Sequence, residues 1–152
     1  MLTIAIESPL SPDGLALLAG SDAALAELFA PDENFTLDPA QLAVPEVCFF
    51  VARSAGAPMG CVALLRCADF GEVKRLFVAP AGRGLGVARA LMAALERDAM
   101  AQGLVQVLLE TSDRLVPAVT LYTSLGYRVR GRFGDYEDHP ASLFMGKAVG
   151  AA

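Results

Sequence analysis

The chain has 152 residues, 55% of them hydrophobic and 19% charged, with 12 Lys and Arg against 17 Asp and Glu for a net charge of −5. A chain of this size can bury a core without disulfide or metal staples and suits a single domain over residues 1–152, and the composition excludes a disordered chain. The acidic balance, with no clustered basic surface, argues against nucleic acid as a partner, and no run approaches the roughly 18 apolar residues of a membrane span.

Taken in chain order, Leu2 to Glu7 reads as a strand and Ser11-Pro12-Asp13 as a helix start, with a hydroxyl cap, proline at the first helical position and an acid in the first turn. Leu15, Leu18, Leu25 and Leu28 give that helix its face, with a break expected at Gly20-Ser21. A polar loop over Pro31 to Pro39 leads to a short helix at Pro39 to Val44. Val47–Arg53 and Met59–Cys67 read as a hairpin about the turn residues Ser54 to Pro58. Gly71–Val78 is a further strand, followed by a helix from Gly84 to Gln102 that ends at Gly103. Leu104–Glu110 reads as a buried strand, Val116–Ser124 as a helix closed by Gly126, and Tyr127–Arg132 and Ser142–Lys147 as the last strands. Antiparallel strands followed by a β-α-β unit imply a mixed α/β sheet with helices on both faces.

Cys48, Cys61 and Cys67 form neither a disulfide framework nor a zinc spacing, and the single His139 excludes a multi-histidine metal site. No metal is expected. With no basic region ahead of an apolar run at the N-terminus, reduced thiols in a cytoplasmic protein are the expectation.

The stretch with the most chemistry is Arg83-Gly84-Leu85-Gly86-Val87-Ala88, between a strand and the start of a long helix. The first N–H groups of a helix lack internal partners and sit at the positive end of its dipole, so an anion is stabilised there. Gly84 and Gly86 let the backbone approach a phosphate closely, Ala88 keeps the first turn small, and Arg83 can neutralise phosphate charge. The stretch therefore reads as a pyrophosphate cradle. It is not the dinucleotide fingerprint, because the third glycine position falls on Arg89, and no Gly-Lys-Ser/Thr follows for a Walker loop.

These residues resemble the GNAT superfamily of acyl-CoA-dependent N-acetyltransferases, whose signature is Q/R-x-x-G-x-G/A at a helix start; Arg83, Gly86 and Ala88 stand at its fixed positions. Ala118-Val119-Thr120-Leu121-Tyr122 with Gly126-Tyr127 is similar to the family's A-x-x-L-Y-x-x-x-G-F/Y element, so the resemblance runs from Val47 to Lys147, about two thirds of the chain. The tail, Phe133-Gly134-Asp135-Tyr136 with Phe144-Met145 and Lys147, is similar to a bacterial subgroup of that family.

The resemblance implies a mostly antiparallel central sheet, split in a V between Gly71–Val78 and Leu104–Glu110, with acetyl-CoA as cosubstrate. It implies pantetheine against the backbone of Leu76, Phe77 and Val78 and pyrophosphate on Arg83, Gly84, Leu85, Gly86, Val87 and Ala88. It places Tyr122 beside the coenzyme sulfur as the proton donor to the thiolate, and Glu72 at a site where some members carry a general base. Glu110, at the end of the partner strand, is the rival base, and the choice between them stays open. Leu115 stands where many members carry Asn or Gln, and Leu85 where a basic residue is frequent, which leaves Arg83 and Arg89 to meet phosphate.

The implied activity is acetyl transfer to a primary amine of a small molecule or peptide, by direct attack in a ternary complex; the alternative is a CoA-binding sensor without catalysis. Family analogy is compatible with a homodimer. Asp135, Tyr136, Glu137 and Asp138 read either as a wall for a cationic substrate or as a solvated turn. His139 reads as a surface loop residue, and Phe35 lies in a loop where acceptor contacts are usual for the family.

Overall fold

The computed structural model describes residues 1–30 and 37–150, so Phe35 and most of its loop lie outside the described residues. Seven strands, β1 (Leu2–Ile6), β2 (Val47–Ser54), β3 (Ala57–Arg66), β4 (Gly71–Val78), β5 (Gln106–Thr111), β6 (Arg128–Arg130) and β7 (Leu143–Ala148), form one sheet in the order β1-β2-β3-β4-β5-β7-β6. The helices are α1 (Pro12–Ala26), α2 (Pro39–Leu42), α3 (Val87–Ala101) and α4 (Val116–Ser124). Every neighbouring strand pair is antiparallel except β4 and β5, which α3 joins as a crossover. The mixed, mostly antiparallel sheet expected from the sequence is thus the one observed.

The two faces of the sheet follow from strand alternation. One face carries Phe50, Val62, Val73 and Leu109, and α3 covers it with Val87, Leu91, Met92 and Leu95. The other carries Phe49, Val51, Cys61 and Ala63, and α1 covers it with Leu17 and Leu18. Leu95 is fully buried in the first of these layers. Leu95→Ala is expected to cost about 2–5 kcal/mol, read as a lowered urea midpoint at unchanged m-value.

Most elements shift by one or two residues at an end, β5 for example to Gln106–Thr111 and β3 to Ala57–Arg66, and three larger differences from the sequence reading have local reasons. The first helix runs unbroken through Gly20 and Ser21, because a Cβ at Gly20 would stand 2.9 Å from the Phe77 ring; the glycine serves close packing and does not end the helix. The long helix begins at Val87, since Gly84 and Gly86 take φ of +78° and +74°, outside the helical region. The expected strand Tyr127–Arg132 shrinks to Arg128–Arg130 because the Tyr127 N–H returns 3.0 Å to the Tyr122 carbonyl. With Gly126 at φ +97° and its N–H 3.1 Å from the Thr123 carbonyl, this is a Schellman closure of α4.

The V-shaped split has a register origin. Strands β4 and β5 pair only at Gly71–Val107, Glu72–Leu108 and Val73–Leu109, after which both continue without each other. A bulge bends β4 where it leaves: Cys61 pairs with Phe77 and Ala63 with Lys74, so Arg75 and Leu76 together face Val62 alone. Arg75 absorbs the bend with φ +59°, an uncommon value for a side-chain-bearing residue. Its guanidinium donates 2.6 Å to Asp22 and 3.1 Å to the Leu18 carbonyl, tying the bulge to α1.

Candidate active site

A cavity of about 270 Å³ fills the split. Leu115, which precedes α4, lines one part with Ala118 and Tyr122 of α4, Leu76 and Phe77 of β4 the middle, and Leu25 of α1 with Leu28 and Phe29 just beyond it the other part, with Glu110 and Thr111 along β5. Tyr122 belongs to the apolar layer under α3, whereas Glu110 follows the alternation of Leu108, on the α1 face. The cavity therefore reaches both faces of the sheet, as a parallel pair that stops pairing halfway allows.

The cradle lies beside it. Gly84 and Gly86 hold left-handed conformations, and a Cβ at either would meet nothing within 4 Å, so the space before them is open. Gly86 caps α3 without any side-chain bond, which leaves the first-turn amides of Val87, Ala88 and Arg89 for an external acceptor. Arg83 and Leu85 are exposed at the rim. Arg89 is committed elsewhere: its Nη2 donates 2.7 Å to Ser124 Oγ and links α3 to α4. Along β4, Leu76 and Phe77 border the cavity, while Val78 packs into the α3 layer and pairs with Gly60. Uncapped amides, two open glycines and an unpaired strand edge next to a cavity fit a pyrophosphate and an extended pantetheine arm.

Tyr122 is 6% exposed and lies edge-on to Tyr127 at 5.7 Å. Burial pushes its phenol well above the ordinary range, so the hydroxyl stays protonated and available as a donor. At Glu110, burial pushes the carboxyl up; the nearby Glu72 charge adds to this, while a 2.9 Å hydrogen bond from Ser142 Oγ to Oε2 and the positive charges of Lys74 and His139 oppose it.

Glu72 lies outside the cavity. It sits at the last-but-one β4–β5 pair, below the point where the strands part, and is 5% exposed. Its Oε2 accepts 2.6 Å from Tyr136 Oη and stands 2.8 Å from Lys74 Nζ, and Lys74 also donates to Tyr136. Tyr136 in turn packs edge-on against Phe133 and Phe144. Of the acidic tail cluster, then, Tyr136 is drawn into the sheet while Asp135, Glu137 and Asp138 are exposed.

Arg75 and Ser142 border or brace the site without a sequence signal. A buried arginine in the left-handed region has no pattern, and Ser142 is one strand-end serine among many. The three cysteines are free, and burial pushes the Cys61 thiol up to about 12, which makes it unreactive at neutral pH.

The family model described as "Acetyltransferase (GNAT) domain" matches residues 45–129. An IAA acetyltransferase of Azospirillum brasilense is 40% identical over 150 residues, covering 97% of this chain and 98% of that one. A putative acyl-CoA N-acyltransferase of Klebsiella pneumoniae superposes with a TM-score of 0.83 at 33% identity, covering 98% of both chains. The PaiA N-acetyltransferase of Thermoplasma acidophilum, solved with coenzyme A, shares the fold with a TM-score of 0.72 at 17% identity, over 96% of this chain and 99% of that one. The chain belongs to the GNAT acetyltransferase family, whose members transfer an acyl group from acyl-CoA to an acceptor amine.

Proposed function

We propose that the protein, acting as one catalytic domain, transfers the acetyl group of acetyl-CoA to a primary amine by direct attack in a ternary complex. The carrying observation is the cavity through the split, which sets Tyr122 under one face of the sheet and Glu110 on the other. Acetyl-CoA supplies the thioester acyl group. Backbone amides of Gly84 to Ala88 with Arg83 hold its pyrophosphate, and the edge of β4 at Leu76, Phe77 and Val78 holds the arm.

Amine and thioester enter from opposite faces, so the nitrogen can approach the carbonyl without displacing the coenzyme. Glu110 takes the proton from the amine, which suits a carboxylate that burial makes more basic than an exposed one. Tyr122 gives its proton to the departing thiolate; a phenol kept neutral by burial is loaded for that step. Glu72 serves by holding Tyr136 and Lys74, since both partners already occupy its carboxylate.

The test is acetyl-CoA-dependent thiol release over a panel of primary amines, with IAA, named in the Azospirillum relative, added to the panel. Tyr122→Phe is expected to lower turnover by roughly 10²–10⁴ with the acetyl-CoA Kd unchanged within threefold. Full turnover in that variant would remove Tyr122 from the mechanism. Tight acetyl-CoA binding with no release to any amine would favour the sensor reading.

A further inference from the structure

Beyond the tail segment on the α1 face of the sheet lies a second hollow, lined by Arg130, Arg132, Asp138, His139, Ser142 and Phe144. The sheet register ties it to the candidate base. Glu110 pairs with Phe144 and Phe144 with Arg130, so the three form one row across β5, β7 and β6. Paired residues project to the same face. Glu110 and Arg130 are two strand spacings apart, about 10 Å between Cα atoms. Ser142 links the two places: it lines the hollow, and its hydroxyl donates 2.9 Å to Oε2 of Glu110, which lines the cavity.

The charge there runs against the rest of the molecule. In a chain of net charge −5, Arg128, Arg130 and Arg132 take alternate positions along and just beyond β6. Arg132 is held only loosely, with Nε 3.9 Å from Asp138 Oδ2 between side chains 57% and 82% exposed. Arg130 spends Nε on the Gly131 carbonyl at 3.1 Å and rests over the Phe133 ring at 5.7 Å, and among the described residues no hydrogen bond engages its Nη atoms. Two guanidinium groups with spare donors, one of them stacked on an aromatic ring, suit a carboxylate better than a neutral group.

We propose that this hollow is the anion subsite of the acceptor, and that the acceptor is a primary amine carrying a carboxylate about 10 Å from its nitrogen. The amine stands at Glu110, and the carboxylate is bound by Arg130 and Arg132 with Asp138 at the rim. The assignment rests on the acetyl-transfer reading of the cavity.

The test uses glycine peptides, whose reach grows by about 3.3–3.6 Å per residue, so that triglycine matches the span. Diglycine, triglycine and tetraglycine are compared with their C-terminal amides in acetyl-CoA-dependent thiol release, on the native protein and on the double variant Arg130→Gln/Arg132→Gln. Acetyl-CoA affinity is measured in parallel by calorimetry. Expected are a preference of at least tenfold in kcat/KM for triglycine over its amide, a smaller one for diglycine, and a fall below threefold in the double variant at unchanged acetyl-CoA Kd. Equal use of acid and amide, a preference that survives in the double variant, or no use of any peptide by protein that binds acetyl-CoA would each overturn the subsite. Failure of native protein to bind acetyl-CoA would instead overturn the underlying reading, and the subsite with it.

Discussion

Gly86→Glu is expected to weaken acetyl-CoA binding by at least a hundredfold, about 2.7 kcal/mol, in a protein that still folds. The expectation combines two effects of different size. A side chain at φ +74° is strained, and left-handed conformations cost roughly 1–2 kcal/mol for residues other than glycine. A folded domain holds about 5–15 kcal/mol of stability, so that strain lowers the melting temperature by only a few degrees, and no protein atom lies within 4 Å of the new Cβ to add a clash. The larger effect is electrostatic. The added carboxylate takes the uncapped amides of α3 for itself and repels a pyrophosphate from the same place. Gly86→Ala separates the two, since it carries the strain without the charge; it is expected to lose less than tenfold. Calorimetric titration of acetyl-CoA into all three proteins gives the answer. Equal affinity in native protein and Gly86→Glu would move the pyrophosphate site away from this loop.

Glu110→Gln is expected to lower turnover by about 10²–10⁴ and to remove the ascending limb of the pH–rate profile. The sign follows from burial. A raised carboxyl pKa means that Glu110 is protonated, and unable to accept a proton, to a higher pH than an ordinary carboxylate, so activity rises as pH climbs through that value. Glutamine keeps the shape and loses the titration, leaving a flat, low profile over the same window. Glu72→Gln should behave differently. It removes the charge that partners Lys74, whose side chain is 12% exposed, and breaking such a buried pair costs about 3–5 kcal/mol. A loss of stability with the ascending limb retained is therefore expected for Glu72, and a loss of the limb with little change in stability for Glu110. The reverse result would restore Glu72 as the base.

The contrast between these two glutamates shows where reading the sequence stops. Both stand on adjacent strands flanking the split, and resemblance alone left them as rivals. What separates them is the register, Glu72 opposite Leu108 and Glu110 two residues further on, together with the arrival of Tyr136 from 64 positions away. Neither is a local property. The same holds for Arg75, whose left-handed backbone and contacts with Asp22 and Leu18 come from a bulge that β3 imposes on β4.

Local chemistry carried the rest. Hydrophobic alternation, turn residues and helix caps determined the order of the elements, because each acts within a few residues: Ser11 caps α1 through the Gly14 N–H, and Ala55-Gly56 closes the β2–β3 hairpin with φ of +50° and +83°. The cradle was legible for the same reason, since glycines at a strand-to-helix junction place uncapped amides wherever they occur. By itself, then, the sequence determined the family, the order of the elements and the glycine-rich loop with its uncapped amides. Only the tertiary structure decided which carboxylate borders the cavity, where β4 and β5 part, and that the arginines of β6 share a row with Glu110, because those facts depend on strand pairing between segments distant in the chain.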